Sequence, residues 1–313
     1  MFFMPALYHF CYNVGVKNEI EKLKRRLNAV ILAHNYCLGE VQDVADYTGD
    51  SLELARRATQ IDADVIVFCG VLFMAETAAI LNPEKTVLIP DLGAGCPMAD
   101  MITGDELRRL KAEHPGAKAV CYVNSTAEVK AECDICVTSG NAEKVMRTFS
   151  ADDEIIFVPD QHLGGYIAGK LNRTYRCWKG FCPIHARLDA KAIAAARERA
   201  GSGVPVLVHP ECAKDVRDAA DECLSTGGMC RFVKESPLGE FIIGTEEGIL
   251  HRLRKENPGK KFHPVGDLVC SDMKKITMEK LLDSMREMKH RVTVKKEIAL
   301  RARKAIDAML AIA

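Results

Sequence analysis

Residues 29–36 read AVILAHNY, five apolar or small residues running into His34-Asn35-Tyr36. An unbroken apolar run with β-branched Val30 and Ile31, not an alternating one, suits a strand buried on both faces, as in parallel sheets. The same design returns at 118–124, KAVCYVN, which ends in Tyr122-Val123-Asn124, and at 204–211, VPVLVHPE, which ends in His209-Pro210-Glu211. The first residues of these triplets are 88 and 87 positions apart. A small hydroxyl residue keeps the same step (Ser51, Ser139, Thr226), and Cys96, Cys182 and Cys270 follow at steps of 86 and 88. Three features on one period predict three α/β units of common plan around a pseudo-threefold axis.

Further short runs read as strands at 64–70, 85–91, 154–160 and 240–245, with helical stretches at 50–58, 104–114, 189–200 and 213–223 between them. Alternation of this kind predicts parallel sheets with helices on both faces, hence three similar three-layer α/β/α domains. The expected division is 17–98 with 271–313, then 99–183, then 184–270. Two helices within 277–312 are expected to pack back on the first domain. Residues 1–16 are expected to form an irregular N-terminal extension.

Composition narrows the function. With 43 basic and 43 acidic residues the formal net charge is zero, which argues against a nucleic-acid binder. No apolar run reaches the roughly 20 residues a membrane span needs. Residues 1–15 carry no basic n-region and no cleavage site, so no signal peptide is read and the cytoplasm is the expected compartment. Thirteen cysteines, an odd number in a long helix-rich chain, read as reduced thiols and not as a disulfide framework. No phosphate-loop or dinucleotide fingerprint follows any strand, against ATP or NAD as cofactor.

In parallel sheets ligands sit beyond the carboxyl ends of the strands, near helix N-termini. The three polar triplets are therefore expected to face one central cavity. Ser51, Ser139 and Thr226, at expected helix starts, suit carboxylate or phosphate oxygens; plain N-capping explains any one of them alone. Cys96, Cys182 and Cys270 all fall in turns, and three converging thiolates suit either zinc or an iron–sulfur cluster; spacing does not separate the two. Cys133-Asp134-Ile135-Cys136 has no partner motif downstream and reads as buried free thiols. His114, His251, His263 and His290 read as solvated, while His185, three residues after Cys182, is expected near the cavity.

The blocks AHNYCLGEVQDVADYTGDSLELAR, FCGVLFMAETAAILNPEKTVLIPDLGAGCPMAD, YVNSTAEVKAECDICVTSGNA, PDQHLGGYIA, GFCPIHARL, HPEC and FIIGTEEGILHRLRKENPGKKFHPV, in this order, closely resemble the quinolinate synthase family over roughly residues 17–310. The resemblance implies a [4Fe–4S] cluster held by Cys96, Cys182 and Cys270, with one open iron as Lewis acid. It implies condensation of iminoaspartate with dihydroxyacetone phosphate to quinolinate, phosphate and two waters. Its substrate-binding positions fall on His34, Ser51, Tyr122, Val123, Asn124, Ser139, His209, Pro210, Glu211 and Thr226, and Tyr36 matches a tyrosine near the reacting centre. Glu211 with His209, and Tyr36 with His34, are the expected acid–base pairs. Iminoaspartate would come from an aspartate oxidase or dehydrogenase. Two departures stand out: Cys270-Ser271-Asp272-Met273 replaces a run of three cysteines found in some members, which removes disulfide control there, and Cys37 stands where glutamine is commoner. The rival readings are a [4Fe–4S] hydro-lyase acting on one hydroxy acid, and a non-enzymatic metal-storing regulator.

Overall fold

The computed structural model describes residues 4–201 and 203–312, with side chains from residue 15 onward. The order helix–strand repeats four times in each of three units. The first holds α1 (Met4–Leu27), β1 (Ala29–His34), α2 (Gly39–Val44), β2 (Tyr47–Gly49), α3 (Ser51–Ala58), β3 (Val65–Cys69), α4 (Leu72–Leu81) and β4 (Thr86–Leu88). The second holds α5 (Gly104–Glu113), β5 (Lys118–Tyr122), α6 (Ala127–Ala131), β6 (Ile135–Val137), α7 (Ala142–Met146), β7 (Ile155–Val158), α8 (Gln161–Lys170) and β8 (Arg176–Cys177). The third holds α9 (Ala190–Ala200), β9 (Val206–Val208), α10 (Lys214–Ala219), β10 (Glu222–Cys223), α11 (Thr226–Glu235), β11 (Glu240–Gly244), α12 (Ile249–Glu256) and β12 (Lys261–Pro264). Two helices follow, α13 (Met278–Glu287) and α14 (Lys296–Ile312).

Each unit forms one four-stranded sheet, and the order is the same in all three: β2-β1-β3-β4, β6-β5-β7-β8 and β10-β9-β11-β12. All these pairings are parallel, and the register repeats too. Ala33 lies opposite Thr48 and Cys69, Cys121 opposite Cys136 and Val158, and Val208 opposite Cys223 and Gly244. The step read from the sequence thus carries one strand pairing onto the next. The inner strands β3, β7 and β9 are buried along their length, as continuous apolar runs require.

Four expectations need correcting. The N-terminal segment is no irregular arm: α1 runs from Met4, buries Val16, Ile20 and Leu23 on one face, and ends at Asn28 with φ 45°. Segment 213–223 is not one helix, because α10 stops at Ala219 and Glu222–Cys223 joins the sheet edge. The edge strands β2, β6, β8, β10 and β12 were not expected at all. The C-terminal helices divide: Leu281, Leu282 and Met285 of α13 join the first core beside α1, whereas Ala302, Ala305, Ile306 and Met309 of α14 complete the second.

Candidate active site

The strand ends open on a cavity of about 250 Å³. Its walls include His34 and Tyr36 after β1, Tyr122 and Asn124 after β5, His209 and Glu211 after β9, the hydroxyl residues Ser51, Ser139 and Thr226, and all three of Cys96, Cys182 and Cys270. Residues from all three units therefore meet in one space. Val123 and Pro210 do not line it: Val123 is packed in the second core, and Pro210 offers its carbonyl to Arg217. His114, His251, His263 and His290 are not among its walls either, and Cys133 and Cys136 are free thiols in the second core beside Cys121.

The three cysteines share one local design. Each precedes a single 3₁₀ turn (Ala99–Met101, His185–Arg187, Met273–Lys275), and two backbone N–H groups point back at each sulfur. Met98 and Ala99 donate to Cys96, Ile184 and His185 to Cys182, and Asp272 and Met273 to Cys270. Such N–H pairs stabilise thiolate, although without a cation burial holds the thiols protonated; Cys96 is pushed up to about 12. Three thiols with preformed donors, in one cavity, fit a soft metal centre. Cys182, His185 and Glu211 also offer ligand atoms within 4.8 Å of one another, so a cation on Cys182 would lie close to a carboxylate.

Around Glu211 the polar groups form a chain. Tyr122 donates to Glu211 Oε1 at 2.6 Å and Asn124 Nδ2 to the same oxygen at 3.2 Å. On the other side, His185 Nδ1 lies 2.8 Å from Glu211 Oε2. His185 Nε2 meets the Thr245 hydroxyl at 2.8 Å, and Thr245 meets the Tyr36 hydroxyl at 2.6 Å. Close contacts along Tyr36–Thr245–His185–Glu211–Tyr122 thus link the triplets of all three units, His185 Nδ1 standing beside Glu211 without the alignment of a hydrogen bond. Burial works against the Glu211 charge, yet His209, His185 and Tyr122 together hold it well below the usual carboxylate range.

His34 and His209 repeat one pose. The backbone N–H of Tyr36 donates to His34 Nδ1 at 3.2 Å, and that of Glu211 to His209 Nδ1 at 3.3 Å. Burial lowers them to about 3 and about 4, so both are neutral at pH 7. With Nδ1 accepting, the proton sits on Nε2, and His209 Nε2 reaches Ser139 Oγ at 3.2 Å. Two neutral imidazoles are thereby set as donors.

The hydroxyls of Ser51 and Thr226 lie at helix starts as expected, and plain N-capping does not account for them. Asp50, one residue earlier, caps α3 through Leu52 and Glu53, and Ser225 caps α11 through Gly228. Ser51 and Thr226 are the first helical residues, their hydroxyls released from capping, and Ser139 stands two residues ahead of Asn141 at the start of α7. These three starts crowd together: a Cβ on Gly227 would lie 2.5 Å from Asp50 Oδ2, and one on Gly140 would lie 3.3 Å from Ser225 Oγ. Sequence reasoning missed Thr245, and Asn35, expected with its triplet to face the cavity, is not among the walls; its amide donates to Thr226 Oγ1 at 3.0 Å. Sequence reasoning also missed Arg187 at the rim, a guanidinium bordering the cavity.

Three repeated parallel-sheet units enclosing buried acid–base groups and a thiol triad define an α/β enzyme of the three-unit kind. The Quinolinate synthetase A protein family matches residues 18–311. Quinolinate synthase of Dehalococcoides mccartyi strain CBDB1 is 52% identical over 300 residues, covering 96% of this chain and 99% of the relative. Quinolinate synthase of Methanoregula boonei is 54% identical over 298 residues (95% and 98%), and that of Geotalea uraniireducens 50% over 302 (96% and 99%). This chain belongs to the quinolinate synthase family.

Proposed function

We propose that the cavity condenses iminoaspartate with dihydroxyacetone phosphate to give quinolinate, phosphate and two waters, the pyridine-ring-forming step of NAD biosynthesis. The observation that carries this is the line of close contacts from Tyr36 to Tyr122 through His185 and Glu211, set in the same cavity as three N–H-supported thiols. The reaction needs several proton transfers at different atoms, and a connected set of groups from three sides supplies them without free water. Cys96, Cys182 and Cys270 would hold a [4Fe–4S] cluster, which supplies Lewis-acid chemistry at its open iron when bound.

The chain's own residues do the rest. Glu211, held ionised, accepts a proton from carbon or nitrogen, and Tyr122 and His185 stabilise it before and after. Tyr36 donates through its hydroxyl, reprotonated by way of Thr245. Neutral His34 and His209 present Nε2–H to carbonyl or hydroxyl oxygens, polarising them without adding charge. Ser51, Ser139 and Thr226 bind carboxylate or phosphate oxygens, and Asn124 Oδ1, buried and unpartnered, is left to accept from the substrate. Arg187 draws the two anionic substrates to the mouth. The enzyme works in the cytoplasm, fed with iminoaspartate by an aspartate oxidase or dehydrogenase. Among the described residues no helix is long and apolar enough to cross a membrane.

The test is an anaerobic assay of protein reconstituted with iron and sulfide, given dihydroxyacetone phosphate and iminoaspartate generated in place, with quinolinate quantified chromatographically. Quinolinate from the wild type and none from Cys182→Ser is the expected result. A fully loaded protein that makes none overturns the proposal and favours a hydro-lyase that works without triose phosphate.

A further inference from the structure

One side chain in each unit has no place in the chemistry above, yet occupies the same position in all three. Gln42 of α2, Lys130 of α6 and Arg217 of α10 are spaced by the 88 and 87 residues that separate the triplets. Gln42 and Lys130 are buried and Arg217 half-buried. Their partners are equivalent as well. Gln42 Nε2 donates to the carbonyl of Cys37 at 2.9 Å, Lys130 Nζ to that of Ser125 at 2.7 Å, and Arg217 Nη1 to that of Cys212. Gln42 also takes the Asn35 carbonyl at 3.0 Å and Arg217 the Pro210 carbonyl at 3.2 Å. These carbonyls flank Tyr36 and Glu211, and in the second unit the one bonded carbonyl follows Asn124 directly.

Each donor then takes one carbonyl from another unit. Gln42 reaches Gly248 at 2.9 Å, Lys130 reaches Phe73 at 3.4 Å, and Arg217 reaches His162 at 3.2 Å. Phe73, His162 and Gly248 stand at or immediately before the first turns of α4, α8 and α12, and they step by 89 and 86, as do the paired strand residues Cys69, Val158 and Gly244. The connections therefore run first unit to third, second to first and third to second, which closes a ring.

We propose that Gln42, Lys130 and Arg217 are positioning residues, each fixing the strand-end loop of its own unit against the adjacent unit, so that three separate sheets present their groups at one registered geometry. The chemistry requires only a buried donor long enough to serve two or more carbonyls, which is why glutamine, lysine and arginine serve at one repeated position. Loop carbonyls turned inward and left unbonded would reorient, and small displacements of acid–base groups lower turnover steeply. This rests on the quinolinate synthase reading for its kinetic half and not for its structural half.

The test uses anaerobic holoprotein of Lys130→Met, Lys130→Gln and Arg217→Met with iron and sulfide content matched to wild type. Hydrogen exchange followed by mass spectrometry is expected to quicken about tenfold in Arg217→Met at 209–213 and also across the ring at 161–165, while the first unit keeps wild-type rates. Turnover is expected to fall about tenfold or more in Arg217→Met and Lys130→Met with KM little changed, and to return largely in Lys130→Gln, which restores a neutral donor as at Gln42. Exchange confined to 209–213, wild-type kcat in Arg217→Met, or a Lys130→Gln variant as slow as Lys130→Met overturns the proposal. A wild type that makes no quinolinate refutes the functional reading instead, and the exchange data still decide the ring.

Discussion

Glu211 receives Tyr122 and Asn124 on one oxygen and faces His185 with the other, so its charge is held by geometry and not by solvent. Replacing it with glutamine keeps the volume and removes the base. Glu211→Gln is expected to lower kcat by about 100-fold or more with iron content unchanged, and wild-type turnover would remove Glu211 from the mechanism. His34 and His209 bear on stability. Both bind a proton near their ordinary value when unfolded and only at about 3 and about 4 when folded, so the unfolded state takes up protons first as pH falls. Stability is expected to drop from about pH 6.5 downward, by at most about 1.4 kcal/mol per pH unit for each histidine. Glu211, shifted down as well, adds its own loss only below the ordinary carboxylate value. Denaturant midpoints between pH 7 and 5 check this, and a His209→Gln variant with the same slope as wild type would contradict it. Both histidines were legible because the repeat points to them. Thr245 was not, because its equivalents after β3 and β7 are Gly70 and Pro159, and one hydroxyl at one strand end carries no periodic signal.

The helix starts show what a repeat conceals at the scale of elements. Hydroxyls at Ser51 and Thr226 look like caps in sequence, yet Asp50 and Ser225 do the capping, and only coordinates reveal the one-residue offset. That offset turns three helix ends into a shared wall in which Gly227 admits no side chain. Gly227→Ala is expected to destabilise the fold by about 1–3 kcal/mol and to raise KM, since Asp50 or α11 must shift. A midpoint and KM equal to wild type would show that the contact is slack. The inner strands were readable as buried apolar runs. The edge strands were not, since β8 and β10 are two residues long, too short to show any alternation.

The whole molecule is three copies of one sheet plus two helices that treat the copies unequally. Residues of α13 and α1 close the first core, and α14 lies across α6 and β6 of the second. Ile306 and Met309 are fully buried there, each contributing about 1.5–3 kcal/mol against a total of about 5–15. Truncation after Val294 is therefore expected to unfold the second unit and yield aggregated protein in sedimentation, whereas a soluble, monodisperse product would show that α14 only decorates the surface. The three-unit plan was open to sequence reasoning through its period. The destination of α14 was not, because an amphipathic helix states which face it buries and not against which neighbour.

That placement also orders events during synthesis. A ribosome releases the second unit long before α14, so the apolar face over α6 and β6 stays uncovered while the entire third unit is being made. Vectorial translation thus leaves a sticky half-domain waiting for a helix, and slow elongation through the third unit prolongs the interval in which a holdase chaperone has a surface to bind.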